Sequence, residues 1–409
     1  MLVVSANWSL GDGTLTAAAA APHVGVWLQA VHRAAVRAGF RRDGSYRPLD
    51  QLQVVLAGDT FDCLTSAAWT AQLRPWHDGR AAQAARRAVL VRAAHRGRRL
   101  LVGMSRWARS GLSVPTADRR GRPVLAATTR VPVRIALLAG DRDSWLDQAC
   151  TEAARYGLSI GSVWSDDLTT VRHGLEADPC VLPSESRRAN GRGWQPTIGE
   201  SVAVDLVARF AAGVMTTTAA SVSRSLIPAL ARSGPLALPP VFSLWLDASR
   251  GPAAAADEHR ETLVTQWRRS VAAWHRETVR QPPVSPAGVA VCDALASHFD
   301  AVGRGLGAHV GRDVRELFAP RPAAAPTCAT VLGHVPADCS LDHGGGRVIC
   351  LGPAIASGWI NGGTSRGPGL PPTVLRRDHD WEWLQIPGME GDRPLMPAPP
   401  TRTMIIDAA

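Results

Sequence analysis

The tetrapeptide Leu-Ala-Gly-Asp occurs twice, as Leu56-Ala57-Gly58-Asp59 and as Leu138-Ala139-Gly140-Asp141. Each copy closes an apolar run, Val54-Val55-Leu56-Ala57 in one case and Ile135-Ala136-Leu137-Leu138-Ala139 in the other. Such runs read as strands buried on both faces of an α/β sheet. A Gly-Asp pair at the C-terminal end of a buried strand brings a carboxylate to the sheet edge, where ligand crevices form. With His173 and His334 further on, the two acids look like a metal site assembled from separate strands.

Elements that could position these residues follow from the hydrophobic pattern. Strands are expected at 2–5, 53–57, 134–139, 158–163 and 169–172, and helices at 22–39, 62–73, 79–110 and 144–156, the alternation of an α/β fold. From about 200 to 320, Ala-rich helical stretches take over at 201–213, 218–232, 256–280 and 287–306, broken by Pro239-Pro240 and Pro282-Pro283. Trp245, Trp267 and Trp274 in this region read as core. Strand character returns at 329–332 and 347–351, and near 380–386 and 402–406. The expected organisation is an α/β domain built from 1–200 and 325–409, with a helical insertion at 201–324.

Composition narrows the function classes. With 409 residues, 45% of them hydrophobic and 20% charged, the chain can bury a full core and is globular, not disordered. The formal net charge is +10, and every basic residue counted is an arginine. Abundant Ala, Gly and Pro alongside Arg point to a GC-rich genome before they point to an anionic partner. The 79–110 stretch carries Arg80, Arg86, Arg87, Arg92, Arg96, Arg98, Arg99, Arg106 and Arg109 and no acid. A one-sign run of this kind is ordinarily a solvated face, though it could cap a phosphorylated or lipid-linked substrate, or serve an interaction module without catalysis. The stretch has no Phe or Tyr to stack bases, so nucleic acid is not an expected partner. Seven cysteines without a CxxC pair suit a reducing compartment. No signal peptide or membrane-length apolar run is visible, so a cytoplasmic location is expected.

Five segments then come in a telling order: Val4-Ser5-Ala6-Asn7-Trp8-Ser9-Leu10-Gly11-Asp12-Gly13, Gly58-Asp59-Thr60-Phe61-Asp62, Gly140-Asp141-Arg142-Asp143, His173-Gly174 and Gly333-His334-Val335-Pro336. This order resembles the calcineurin-like metallophosphoesterase family, whose pattern is D-x-H, G-D-x-x-D, G-N-H-[DE], H-G or G-H, then G-H-x-H. Its flavour is closest to the subgroup containing bacterial UDP-diacylglucosamine pyrophosphatases, which share G-D-x-F-D, H-G and an inserted helical cap. The resemblance covers roughly 1–185 and 325–360.

The resemblance implies a four-layer α/β/β/α sandwich with two metals at the strand ends, clamping phosphoryl oxygens and generating a nucleophile. It gives Asp59 the role of the bridging ligand. Asp141 (in place of Asn), His173 and His334 would complete one metal's shell, a mixed O/N donor set for Mn, Fe or Zn. The other metal's own ligands would fall on Ala6 or Asn7, on Ser9 and on Pro336, so one ion is expected. A rebuilt second site would need residues such as Asp12 or Asp62, although Gly11-Asp12-Gly13 also fits an ordinary turn. The catalytic histidine is replaced by Arg142. A guanidinium can hold phosphate but stays protonated, so it cannot act as the general acid. Losing a proton donor typically removes ~100- to 10,000-fold of rate. The resemblance therefore implies a phosphorylated small molecule or other anionic ligand bound at a single-metal site, with weak or lost phosphoester hydrolysis. The alternative is an active phosphoesterase with a rebuilt second site.

Overall fold

The computed structural model describes residues 1–15, 23–69, 73–174, 196–217, 220–231, 233–235, 238–248, 254–280, 286–302, 329–333, 339–343, 346–351, 373–377 and 380–384. The first 174 positions contain β1 (Leu2–Ser5), β2 (Leu10–Gly11), α1 (His23–Ala38), β3 (Leu52–Ala57), β4 (Phe61–Asp62), α2 (Arg80–Arg96), α3 (Arg98–Ser110), β5 (Leu112–Ala117), β6 (Pro123–Val131), β7 (Val133–Leu138), α4 (Cys150–Arg155), β8 (Ser159–Gly161), β9 (Val163–Ser165) and β10 (Thr169–Arg172). Helices follow: α5 (Ile198–Ser201), a π-helical stretch at Val202–Ala208, α6 (Arg209–Thr217), α7 (Ala220–Ala231), α8 (Leu238–Ala248), α9 (Ala254–Arg280) and α10 (Pro286–Asp300). Strands return as β11 (Ala329–Leu332), β12 (Cys339–His343), β13 (Gly346–Cys350), β14 (Thr373–Arg377) and β15 (Asp380–Trp383).

Two sheets carry the α/β part. The first has the order β15-β14-β1-β3-β7-β8, with β1, β3, β7 and β8 mutually parallel; the second has the order β12-β13-β11-β10-β9, with β10, β11 and β13 parallel. Side chains alternate across a strand, and the first sheet uses both faces. Val3, Leu52, Val54, Leu56, Val133, Ile135 and Leu137 join a core with Val24, Trp27 and Val31 of α1 and Leu100 and Met104 of α3. Their alternates Leu2, Val4, Val55, Ala57, Ala136 and Leu138 pack with Val171, Val331 and Ile349 of the second sheet. Burial on both sides explains why these strands read as unbroken apolar runs. Helices, first sheet and second sheet thus form successive layers.

The helices from α5 to α10 share a separate core around Phe210, Phe242, Trp267, Trp274 and Phe299, all fully buried, with Trp245 at its margin. Arg74 Nε binds Asp205 Oδ1 of the π-helical stretch at 2.5 Å and ties the loop before α2 to this helical part.

Several expected elements are corrected. Of the stretch 62–73, the described residues form no α-helix: Phe61–Asp62 is a short strand and Ala67–Trp69 a single 3-10 turn, while 70–72 lie outside the described residues. The 79–110 helix breaks at Gly97, where any Cβ would collide with Leu10 Cδ1. Helix α8 starts across Pro239-Pro240, since prolines are tolerated in a first turn. The strand expected near 402–406 lies outside the described residues. No helix among the described residues is long and apolar enough to cross a membrane.

Candidate metal centre

The loops that leave β1 and β3 are zipped together by backbone bonds: Asn7 N to Gly58 O at 3.3 Å, Ser9 N to Asp59 O at 2.9 Å and Leu10 N to Thr60 O at 3.0 Å. They continue as the parallel pair β2–β4. Asn7, Ser9 and Asp59 all have positive φ, 58°, 47° and 50°. Asn and Asp enter this left-handed region more readily than other non-glycine residues, so Ser9 is the most strained of the three. At Asp59 it turns the carboxylate back over the strand ends. Two glycines make the approach feasible. A Cβ on Gly58 would overlap the His173 ring, and one on Gly140 would overlap the Asp59 carboxylate and amide.

Donor atoms of Asp59, Asp141 and His173 lie within 4.8 Å of one another. His173 follows β10; its Nδ1 lies 2.9 Å from the carbonyl of Ala57. A carbonyl only accepts, so Nδ1 carries the proton, and in the neutral ring Nε2 presents its lone pair. That atom faces Asp141 Oδ1 at 3.1 Å and Asp59 Oδ1 at 3.5 Å. A lone pair aimed at two carboxylate oxygens needs a cation or a proton between them. The backbone bond from the far ring nitrogen is also how metal-ligating imidazoles are commonly oriented. These three residues therefore fit a divalent ion.

Burial of acids without a cation leaves a signature in their acidity. Burial, followed by the neighbouring charge of Asp141, pushes Asp59 up to about 7. Burial also lifts Asp143 to about 6, against the backbone bonds from Gly140 and Phe61 that favour its charged form. Asp143 Oδ1 accepts from Gly140 N at 2.7 Å and Oδ2 from Phe61 N at 3.1 Å. It thus ties the two Gly-Asp loops together. In the sequence it is the acid that closes Gly140-Asp141-Arg142-Asp143.

Arg142 lies beside this group. Its backbone N–H donates to Asp59 Oδ1 at 3.1 Å. Burial alone would lower its pKa, but the charges of Asp62, Asp141 and Asp59 more than reverse this and hold it above the usual value. His334 lies outside the described residues, as does Pro336; immediately before them is Gly333, where a Cβ would overlap the Ala57 carbonyl that holds His173. Asp12 accepts from Thr14 N, Thr14 Oγ1 and Ser66 Oγ and pairs with Arg92 Nη2 at 2.9 Å, the turn role. Asp62 Oδ1 accepts from Thr65 N at 3.1 Å and pairs with Arg142. On α2 and α3, Arg80, Arg87, Arg96, Arg98, Arg99, Arg106 and Arg109 are exposed, whereas Arg86 is buried on the Pro75 and His77 carbonyls.

No family model, curated protein or solved structure matches the chain.

Proposed function

We propose that the chain is a divergent protein of the calcineurin-like metallophosphoesterase fold, with a four-layer sandwich and a helical insertion at 201–324, that binds a phosphorylated ligand at a single-metal centre. The carrying observation is the buried Asp59–Asp141–His173 group, with the Nδ1 of the imidazole engaged by a carbonyl and its Nε2 turned to two carboxylates. A mixed O/N set suits Mn, Fe or Zn, and His334 would be a fourth ligand. When bound, a divalent ion of this kind polarises a phosphoryl oxygen.

The chain's own residues define the rest. Asp59 and Asp141 supply anionic donors, and His173 is held in one tautomer. Arg142 offers a permanent positive charge to a phosphate but no transferable proton, so hydrolysis should be weak or lost. An active enzyme with a rebuilt second site is the less favoured reading, because Asp12 and Asp62 are already engaged by hydrogen bonds and arginines.

The test is to purify the protein, count transition metals per chain and assay a chromogenic phosphodiester with added Mn, alongside Asp59→Ala. One metal per chain, lost in the variant, with feeble turnover is expected. Robust Asp59-dependent turnover with two metals would support the active enzyme. Absence of both metal and turnover would point to an arginine-rich interaction module.

A further inference from the structure

Asp59 meets Arg142 twice, with Oδ1 accepting the Arg142 backbone N–H at 3.1 Å and Oδ2 facing the guanidinium. Oδ1 lies 3.5 Å from His173 Nε2, on the side of the metal-binding group. Oδ2 lies 4.0 Å from Nε of Arg142. The guanidinium is fixed from two further directions, with Nη1 3.3 Å from Asp62 Oδ1 and Nη2 donating to the Ser233 carbonyl at 3.3 Å. Its side chain is 11% exposed, so it is a held cation and not a swinging surface arginine. The acids that might build a metal shell on this side have other partners. Asp62 serves Arg142 and Thr65, Asp143 serves two backbone N–H groups, and Asp12 serves Arg92 and Ser66.

We propose that Arg142 is itself the second cation of the centre, so that Asp59 is shared between one metal ion and one guanidinium. This rests on the metal reading above. A guanidinium has five N–H donors in a planar fork. Asp62 and Ser233 take one each and the Nε–H faces Asp59, which leaves two for an anion. The ligand class is a phosphoryl oxyanion with one oxygen towards the metal ion and another towards Arg142, since bidentate pairing with phosphate is where arginine exceeds lysine. A chelator would then strip one cation from the centre and leave the other in place.

The experiment uses the full chain loaded with Mn and two readouts: Mn per chain by native mass spectrometry, and binding of inorganic phosphate by calorimetry. The wild type should hold one Mn. Arg142→Lys should keep one Mn and bind phosphate at least ~10-fold more weakly, as expected where a fork is replaced by a point charge. Arg142→His, which removes the fixed charge and adds a ligand beside Asp59 and Asp62, should hold two Mn. Two Mn in the wild type, phosphate binding by Arg142→Lys within twofold of wild type, or a single Mn in folded Arg142→His would each overturn the inference. If Arg142→His fails to fold, the first two measurements decide. Absence of Mn from the wild type would instead defeat the metal reading itself.

Discussion

The two Leu-Ala-Gly-Asp copies are identical in sequence and different in structure. After β3, Gly58 and Asp59 both take positive φ, 90° and 50°, and the carboxylate folds back under cover. After β7, neither Gly140 nor Asp141 is left-handed, and Asp141 keeps more of its surface. The difference comes from what each loop meets. The first is zipped to the loop after β1 through Asn7, Ser9 and Leu10, whereas the second is drawn in by Asp143 gripping the Gly140 amide. A tetrapeptide therefore sets the location of an acid at a strand end, and its neighbours set the backbone turn it takes and how deeply it is buried.

The comparison can be broken most directly through the metal. Asp59→Ala should weaken Mn binding by more than ~100-fold, beyond the range typical of lost supporting contacts. Asp141→Asn keeps an oxygen donor and should stay within ~10-fold of wild type on the same scale. Equal losses in titration calorimetry would make the two copies equivalent after all.

Next come the glycines. Gly140→Ala must push the Asp59 backbone aside, an overpacking cost of about 1–3 kcal/mol. Gly58→Ala adds a left-handed alanine, about 1–2 kcal/mol more, on top of its overlap with the His173 ring. Urea denaturation of both variants should rank Gly58→Ala as the worse, and the reverse order would mean that crowding alone governs these turns.

Acidity sharpens the contrast further. In the metal-free protein Asp59 sits at about 7 and Asp143 at about 6, both above the carboxylate value of 3.8. A raised carboxylate makes the folded state bind more protons than the unfolded chain. Metal-free stability should therefore increase as pH falls from 8 through 7 towards 5, by at most about 1.4 kcal/mol per pH unit for one group. The gain ends as the unfolded chain begins to take up its own protons. Mn should flatten this dependence by replacing the proton at Asp59. A metal-free protein whose melting temperature falls between pH 8 and 5.5 would contradict the burial of these acids.

A last effect concerns the loop clasp. Asp143→Asn keeps one acceptor oxygen but loses the charge-assisted bond to either Gly140 or Phe61, worth about 1.5–3 kcal/mol when the acceptor is ionised. Its cost should shrink at pH 5, below the about 6 at which Asp143 is half protonated.

What the sequence made legible follows the physics of burial. Strands β1, β3 and β7 were readable because both faces are covered, and α1 because Val24, Trp27 and Val31 recur at helical spacing. Hairpin β5–β6 was missed: β6 is exposed along most of its length, so no apolar period marks it. Gly97 hid inside a helical run because the reason for it, Leu10, is 87 positions away in the chain. Asp59, Asp141 and His173, expected near one another from residue type and strand-end position, do lie together. The place of the Arg142 guanidinium beside Asp59 has no such mark in the sequence, since Asp62 and the Ser233 carbonyl that fix it come from unrelated segments.

That Ser233 carbonyl ties the two halves of the centre to different parts of the molecule. Asp59, Asp141 and His173 hang from strands whose hydrogen-bond ladders open only with the sheet, whereas Nη2 of Arg142 rests on a turn at the end of α7. Local openings span free energies from near zero to that of global unfolding, and turns lie at the low end. The guanidinium can thus loosen while Asp59, Asp141 and His173 stay in place. Amide exchange at Ser233 and Gly234 that is faster than at 54–57, and slowed by bound phosphate, would be the sign of an anion grip that opens and closes over more rigid strand ends.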